Sequence, residues 1–108
     1  MTCRQVPALL YAKIDEAPDG QVALERMRAD RYDLVLADVR MPNVDGLEFV
    51  RRVRQELEDR ATPIILVSTL ATEEDVRRGL DAGATAYLAK PLSPYRIKLM
   101  IERLLSGR

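Results

Sequence analysis

The chain has 108 residues, enough for one hydrophobic core and not two, so we expect a single domain over residues 1–108. Lysine plus arginine and aspartate plus glutamate balance at 17 each, which leaves no net field to recruit nucleic acid or an anionic membrane. There is no histidine, one cysteine and no apolar run near the ~20 residues of a membrane span; His-based metal sites, His general bases, an internal disulfide and a transmembrane helix are excluded.

Residues 1–10 admit two readings, because Pro7 breaks any long helix while Val6, Leu9, Leu10, Tyr11 and Ile14 suit a buried strand. Ala12 to Glu16 then reads as a strand, followed by a turn at Pro18-Asp19-Gly20. Asp19 to Arg28 is an amphipathic helix with Val22, Ala23, Leu24 and Met27 turned inward. Residues 29–32 lead into Leu34-Val35-Leu36-Ala37, a short unbroken apolar run of the kind buried on both faces of a sheet. It stops on an acid, Asp38. Met41-Pro42-Asn43 forces a loop, since proline cannot join a central ladder. Asp45 is placed to cap a helix from Gly46 to about Leu57, with Leu47, Phe49, Val50 and Val53 inward and Glu48, Arg51, Arg52 and Arg54 outward. Pro63 introduces a strand from Ile64 to Ser68. Thr72 with Asp75 approximates a capping box for a helix over Glu73 to Ala82, which Gly83 ends. Ala84 to Ala89 is the last strand, Lys90-Pro91 the turn after it, and Ser93 caps a helix from Pro94 to Leu105. Strands and helices alternating at this length imply parallel βαβ units with right-handed crossovers. In such sheets ligands meet the carboxyl ends of the strands, where Asp38 stands.

Three blocks carry a family likeness: Leu34-Val35-Leu36-Ala37-Asp38 with Met41-Pro42-Asn43-Val44-Asp45-Gly46; Pro63-Ile64-Ile65-Leu66-Val67-Ser68; and Ala82-Gly83-Ala84 leading to Tyr87-Leu88-Ala89-Lys90-Pro91. In order and spacing they resemble response-regulator receiver domains over about residues 14–105. A lone Asp-x-x-Met-Pro is weak, but three ordered blocks are specific. The resemblance implies a flavodoxin-like (CheY-like) three-layer α/β/α fold on a parallel sheet. Four strands are visible in the sequence; the family's first strand and the first turns of the helix after it are missing, and by this alignment a short helix ends near Leu9. The missing strand is the centre of the family's sheet, so its loss would expose two unpaired edges. Three repairs are open: Ala12 to Asp15 slides across to pair with Leu34 to Ala37, a second chain fills the gap in a homodimer, or the natural gene starts further upstream.

The resemblance also assigns roles. Asp38 is the phosphoacceptor, its carboxylate the nucleophile. Lys90 reaches the phosphoryl oxygens as a point charge, and the Lys90–Pro91 peptide is cis. Ser68 donates to a phosphoryl oxygen and moves inward on activation, and Tyr87 is the aromatic switch that follows it. Thr69 stands where the family usually has a smaller residue and narrows access to the acyl phosphate. Mg²⁺ is held in the family by an acidic pair at the end of the first strand, by the phosphoacceptor, and by a backbone carbonyl that falls here on Arg40. Without that pair the metal is expected to be weakened or lost. Asp15 and Glu16 replace those ligands if their strand takes the central place; the preferred alternative makes them the ordinary acidic end of the second strand.

The expected function is that of a phosphorelay receiver, fed by a sensor histidine kinase or phosphotransfer protein and signalling by contact with an unknown output protein. The acyl phosphate would repack Ser68, Tyr87 and the face carrying Leu70, Tyr87, Tyr95 and Lys98 as a population shift. No effector domain is expected after Arg108, so output is expected by contact with another protein. A competing reading is a pseudo-receiver, the same fold used as a phosphorylation-independent binding module. A small α/β phosphatase with an Asp nucleophile is disfavoured, since Arg40 stands where such enzymes carry a second acid. No helix-turn-helix or basic face suggests DNA. One cysteine, Cys3, and an N-terminus without the build of a signal peptide fit the cytoplasm.

Overall fold

The computed structural model describes residues 2–5, 13–41 and 43–106. Its elements in chain order are β1 (Thr2–Gln5), β2 (Lys13–Glu16), α1 (Gly20–Ala29), β3 (Leu34–Asp38), α2 (Gly46–Gln55), β4 (Ile64–Ser68), α3 (Glu73–Ala82), β5 (Ala86–Ala89) and α4 (Pro94–Ser106). They form a five-stranded sheet in the order β2-β1-β3-β4-β5. The parallel half is as expected, with β3, β4 and β5 in register from Val35 opposite Ile64 to Ser68 opposite Ala89.

The other half differs from the four strands visible in the sequence. Thr2–Gln5 is a strand, running antiparallel to both β2 and β3, with Thr2 paired to Glu16 on one side and Leu36 on the other. The short helix expected up to about Leu9 is therefore absent at residues 2–5, and its remainder lies outside the described residues. The strand Lys13–Glu16 has not slid against β3, and the central position is filled within the chain, so the sheet needs no second copy there. The direction has a physical reason. Seven residues separate Gln5 from Lys13, enough to join antiparallel neighbours but short of the dozen or more a parallel crossover needs. Placed there, Thr2–Gln5 pairs backbone groups on both edges that would otherwise stand open.

Alternation along the strands sorts side chains into two cores. Val35, Ala37, Ile64 and Leu66 face Ala23 and Leu24 of α1 and Phe49, Val50 and Val53 of α2, all buried. Leu34, Ile65, Val67 and Leu88 face Ile101 of α4 on the opposite side. Among the described residues the layers are three helices, a sheet and one helix. Helix ends follow local chemistry: Asp19 Oδ1 accepts from Val22 N at 2.9 Å, Asp45 Oδ1 from Glu48 N at 2.9 Å, and Thr72 and Asp75 form a reciprocal capping box. Helix α2 ends at Gln55, two residues before the expected Leu57. Arg54 is not solvated as expected. It is half-buried, donating Nε to Gly83 O and Nη1 to Asp59 O, both at 3.0 Å, and so ties the ends of two loops to α2. No helix among the described residues is long and apolar enough to cross a membrane.

Candidate functional site

The register alone brings three strand ends together. Asp38 pairs with Val67, Ser68 with Ala89, and the backbone carries on through Val39 N to Val67 O (3.0 Å) and Lys90 N to Ser68 O (2.9 Å). Asp38, Ser68 and Lys90 thus stand side by side on the carboxyl edge. Lys90 Nζ lies 2.7 Å from Asp38 Oδ1 and 2.8 Å from Oδ2, and both side chains are about a third exposed. A cation shared by both carboxylate oxygens is a charge-assisted contact, stronger than a neutral one. The pair is open enough to admit a reactant. The Lys90–Pro91 peptide is cis.

Gly46 decides how close the next helix comes. A Cβ there would sit 2.4 Å from Asp38 O and 2.8 Å from Val39 Cα, both backbone atoms that cannot swing aside. Only glycine lets α2 begin directly beneath Asp38, where Gly46 N donates to Val39 O at 2.8 Å. Val39, Arg40, Met41, Asp45 and Leu70 line an open depression of about 520 Å³ beside the acid. It is the candidate entry for a reactant.

Ser68 is buried, and its Oγ accepts from Leu70 N at 3.0 Å, leaving the hydroxyl proton to be donated elsewhere. Tyr87 is half-buried, and its hydroxyl donates to Leu70 O. Leu70 therefore links Ser68 to Tyr87 through its own backbone. Thr69, between them, is exposed. Arg40 is exposed in the loop after β3.

Mg²⁺ demands about six oxygens in near-octahedral order. At this edge the described residues offer Asp38, both of whose oxygens already face Lys90, and Asp45, which lines the depression but caps α2 with one oxygen, together with loop carbonyls such as that of Arg40. No cluster of three acids that could hold a metal occurs among the described residues. The antiparallel β1 also points its carboxyl end, Gln5, away from Asp38. Asp15 and Glu16 lie on β2, with Glu16 level with Leu36 across the width of β1. At about 4.8 Å per strand spacing this puts their backbone roughly 10 Å to the side of β3. As described, the donor set does not fit a tightly held Mg²⁺.

Sequence reasoning missed one contact at this edge. Asp19 caps α1 with one oxygen and accepts from Asn43 Nδ2 with the other, at 2.8 Å. The Val22 amide has the largest influence on its carboxyl and, with Asn43 and the Gln21 amide, holds it below the ordinary carboxylate range against the opposing effect of desolvation. Asn43 adopts φ 67°, a conformation asparagine tolerates better than most residues. That preference, at a loop asparagine after proline, was the signal available. Its partner 24 residues away was not.

The family described as Response regulator receiver domain matches residues 4–102. The chain is similar to the transcriptional regulatory protein ResD of Bacillus subtilis, 39% identical over 92 residues, which are 85% of this chain and 37% of that protein. In six of the curated relatives that it matches, the matched segment spans between 10% and 41% of their length. Among solved structures it resembles the receiver domain of the Francisella response regulator 1452, with TM-score 0.78 and 31% identity, covering 84% of this chain and 74% of that one. It also resembles the receiver domain of the sensor histidine kinase PA1611 from Pseudomonas aeruginosa, solved with a magnesium ion in its active-site cleft, with TM-score 0.75 and 32% identity over 83% and 74% of the two chains.

Proposed function

The chain belongs to the response regulator receiver domain family, and on that footing we propose that Asp38 accepts a phosphoryl group from the phosphohistidine of a sensor kinase or phosphotransfer protein. The observation that carries this is the Lys90 ammonium on both oxygens of Asp38. A carboxylate oxygen attacks phosphorus, the P–N bond breaks, the electron pair stays on the imidazole nitrogen, and an acyl phosphate forms on Asp38. Lys90 then exchanges one anionic partner for another, moving from the carboxylate to the phosphoryl oxygens without crossing open water. Ser68 keeps a hydroxyl proton for the same oxygens, and Tyr87 responds through Leu70. Thr69 flanks the approach and slows water and partners alike.

Output passes by protein contact on the face of Leu70, Tyr87, Tyr95 and Lys98, where Tyr95 is 70% and Leu70 41% exposed. Mg²⁺ binds weakly, because Asp38, Asp45 and loop carbonyls stand in for a fuller acidic set. Asp15 and Glu16 serve the end of their own strand, not the metal. The intact Asp38–Lys90 pair and buried Ser68 weigh against the phosphorylation-independent binding module.

Intact mass after incubation with acetyl phosphate tests this, with and without Mg²⁺, against Asp38→Asn. The expected result is a gain of one phosphoryl group, absent in the variant and needing high Mg²⁺. A folded chain that gains nothing at any Mg²⁺ concentration overturns the proposal.

A further inference from the structure

Glycine inside a helix costs about 1 kcal/mol relative to alanine, yet Gly79 stands mid-way along α3 and is buried. The space it leaves is occupied. A Cβ at this position would lie 2.7 Å from Tyr87 Cδ2, 3.1 Å from Tyr87 Cε2 and 3.1 Å from Leu66 Cδ1. The Tyr87 ring edge therefore lies against the bare backbone of α3, and from there its hydroxyl reaches Leu70 O. Leu70 in turn donates its amide to Ser68 Oγ and lines the depression beside Asp38.

We propose that Gly79 is a positioning residue: its missing side chain is the seat that holds the Tyr87 ring where its hydroxyl latches Leu70, and thereby sets the shape of the loop between β4 and α3 at the Asp38 site. Leu66 is fully buried in the sheet and has no room to yield. Tyr87 is half-buried and can swing toward solvent. A methyl group at residue 79 is thus relieved by expelling the ring, which withdraws the hydroxyl from Leu70 O. Only the consequence for phosphoryl chemistry rests on the receiver reading; the seat and the latch are properties of the resting chain.

The test compares Gly79→Ala, Tyr87→Phe and the double variant, all unphosphorylated, by NMR. The readouts are contacts between the residue-87 ring and residue 79 or Leu66, the carbonyl shift of Leu70, and the exchange rate of the Leu70 amide. A seat predicts that Gly79→Ala displaces the ring and reproduces the Leu70 changes of Tyr87→Phe. It also predicts faster exchange of that amide, which keeps its bond to Ser68 Oγ but lies in a loop that opens more readily by the worth of the one lost hydrogen bond, about threefold to tenfold, with no further increase in the double variant. A purely helical role for residue 79 would steady α3 and leave Leu70 untouched, and that result overturns the proposal. So does an additive double variant, which would mean that residue 79 acts on Leu70 by another route. Where Asp38 is phosphorylated, Gly79→Ala should lose the acyl phosphate at the Tyr87→Phe rate within twofold. The NMR arm needs no phosphorylation, so failure of Asp38 to accept a phosphoryl group leaves it standing.

Discussion

Replacing Lys90 by methionine separates the resting contact of its ammonium from the role proposed for it in phosphoryl transfer. At rest it pairs with Asp38 at 2.7 and 2.8 Å, but the two side chains are 36% and 37% exposed. Ion pairs this open to water are worth about 0.2–1 kcal/mol. Methionine retains much of the aliphatic stem, and Asp38 can hydrate once the cation has gone. The folding free energy should therefore change by less than about 1 kcal/mol in a urea titration. The reaction is another matter, because charge spreads over the phosphoryl oxygens at the point where Nζ already stands. Removing one preorganised charge at such a position costs about 1.5–3 kcal/mol, which corresponds to roughly 10–150-fold in rate at 1.36 kcal/mol per decade. The assay is the rate of mass gain from acetyl phosphate for both proteins under one condition. A variant that phosphorylates within about threefold of the parent, or that loses several kcal/mol of stability, would refute this division of roles.

Other outcomes follow from the same structure. Phe49→Ala empties a fully buried site between α2 and the sheet and should cost about 3–5 kcal/mol in urea unfolding. Gly46→Ala drives a Cβ into the backbone of Asp38 and Val39; it should destabilise by about 1–3 kcal/mol and slow phosphorylation more than Phe49→Ala does at equal fraction folded. Thr72→Ala removes the side-chain half of the α3 capping box and leaves the Asp75 carboxylate its bond from the residue-72 amide; it should cost about 1 kcal/mol without altering phosphorylation. In acid, three carboxyls among the described residues matter. Asp75 is lowered by Thr72, and Asp19 chiefly by the Val22 amide. At Asp59 burial pushes upward but is outweighed by bonds from Thr62 and Ala61 and by Arg54. Each folded value lies below the ordinary 3.8, so their stabilisation is complete above that value and is lost as pH falls through the folded ones. Melting temperatures should drop on acidification below about pH 4, and less steeply in Asp59→Asn than in the parent.

Much of the local structure was legible in the sequence. The apolar runs of β3 and β4, the caps at Asp45, Thr72 and Ser93, and the stop at Gly83 rest on short-range chemistry and lie where the pattern placed them; Asp19, read as the first residue of its helix, is its cap. The meeting of Asp38 with Lys90 was implied by the family resemblance, and the structure gives its reason: parallel strands joined by helices bring their carboxyl ends to one edge. Arg54 was misread because its position on the helix wheel says nothing of the carbonyls that the loop just after α2 and the distant Gly83 bring to it. Thr2–Gln5 carries no strand pattern, and the open backbone groups of β2 and β3, with a connection too short for a crossover, made it an antiparallel one. That reversal is invisible in four residues of polar sequence, yet it decides which acids can reach Asp38. Gly79 belongs with it, since a glycine in a helix reads as a weakness until the ring that fills its space is seen. Propensity and periodicity act within a few residues of one another, whereas strand direction and side-chain seats are set by groups that meet only when the chain is folded.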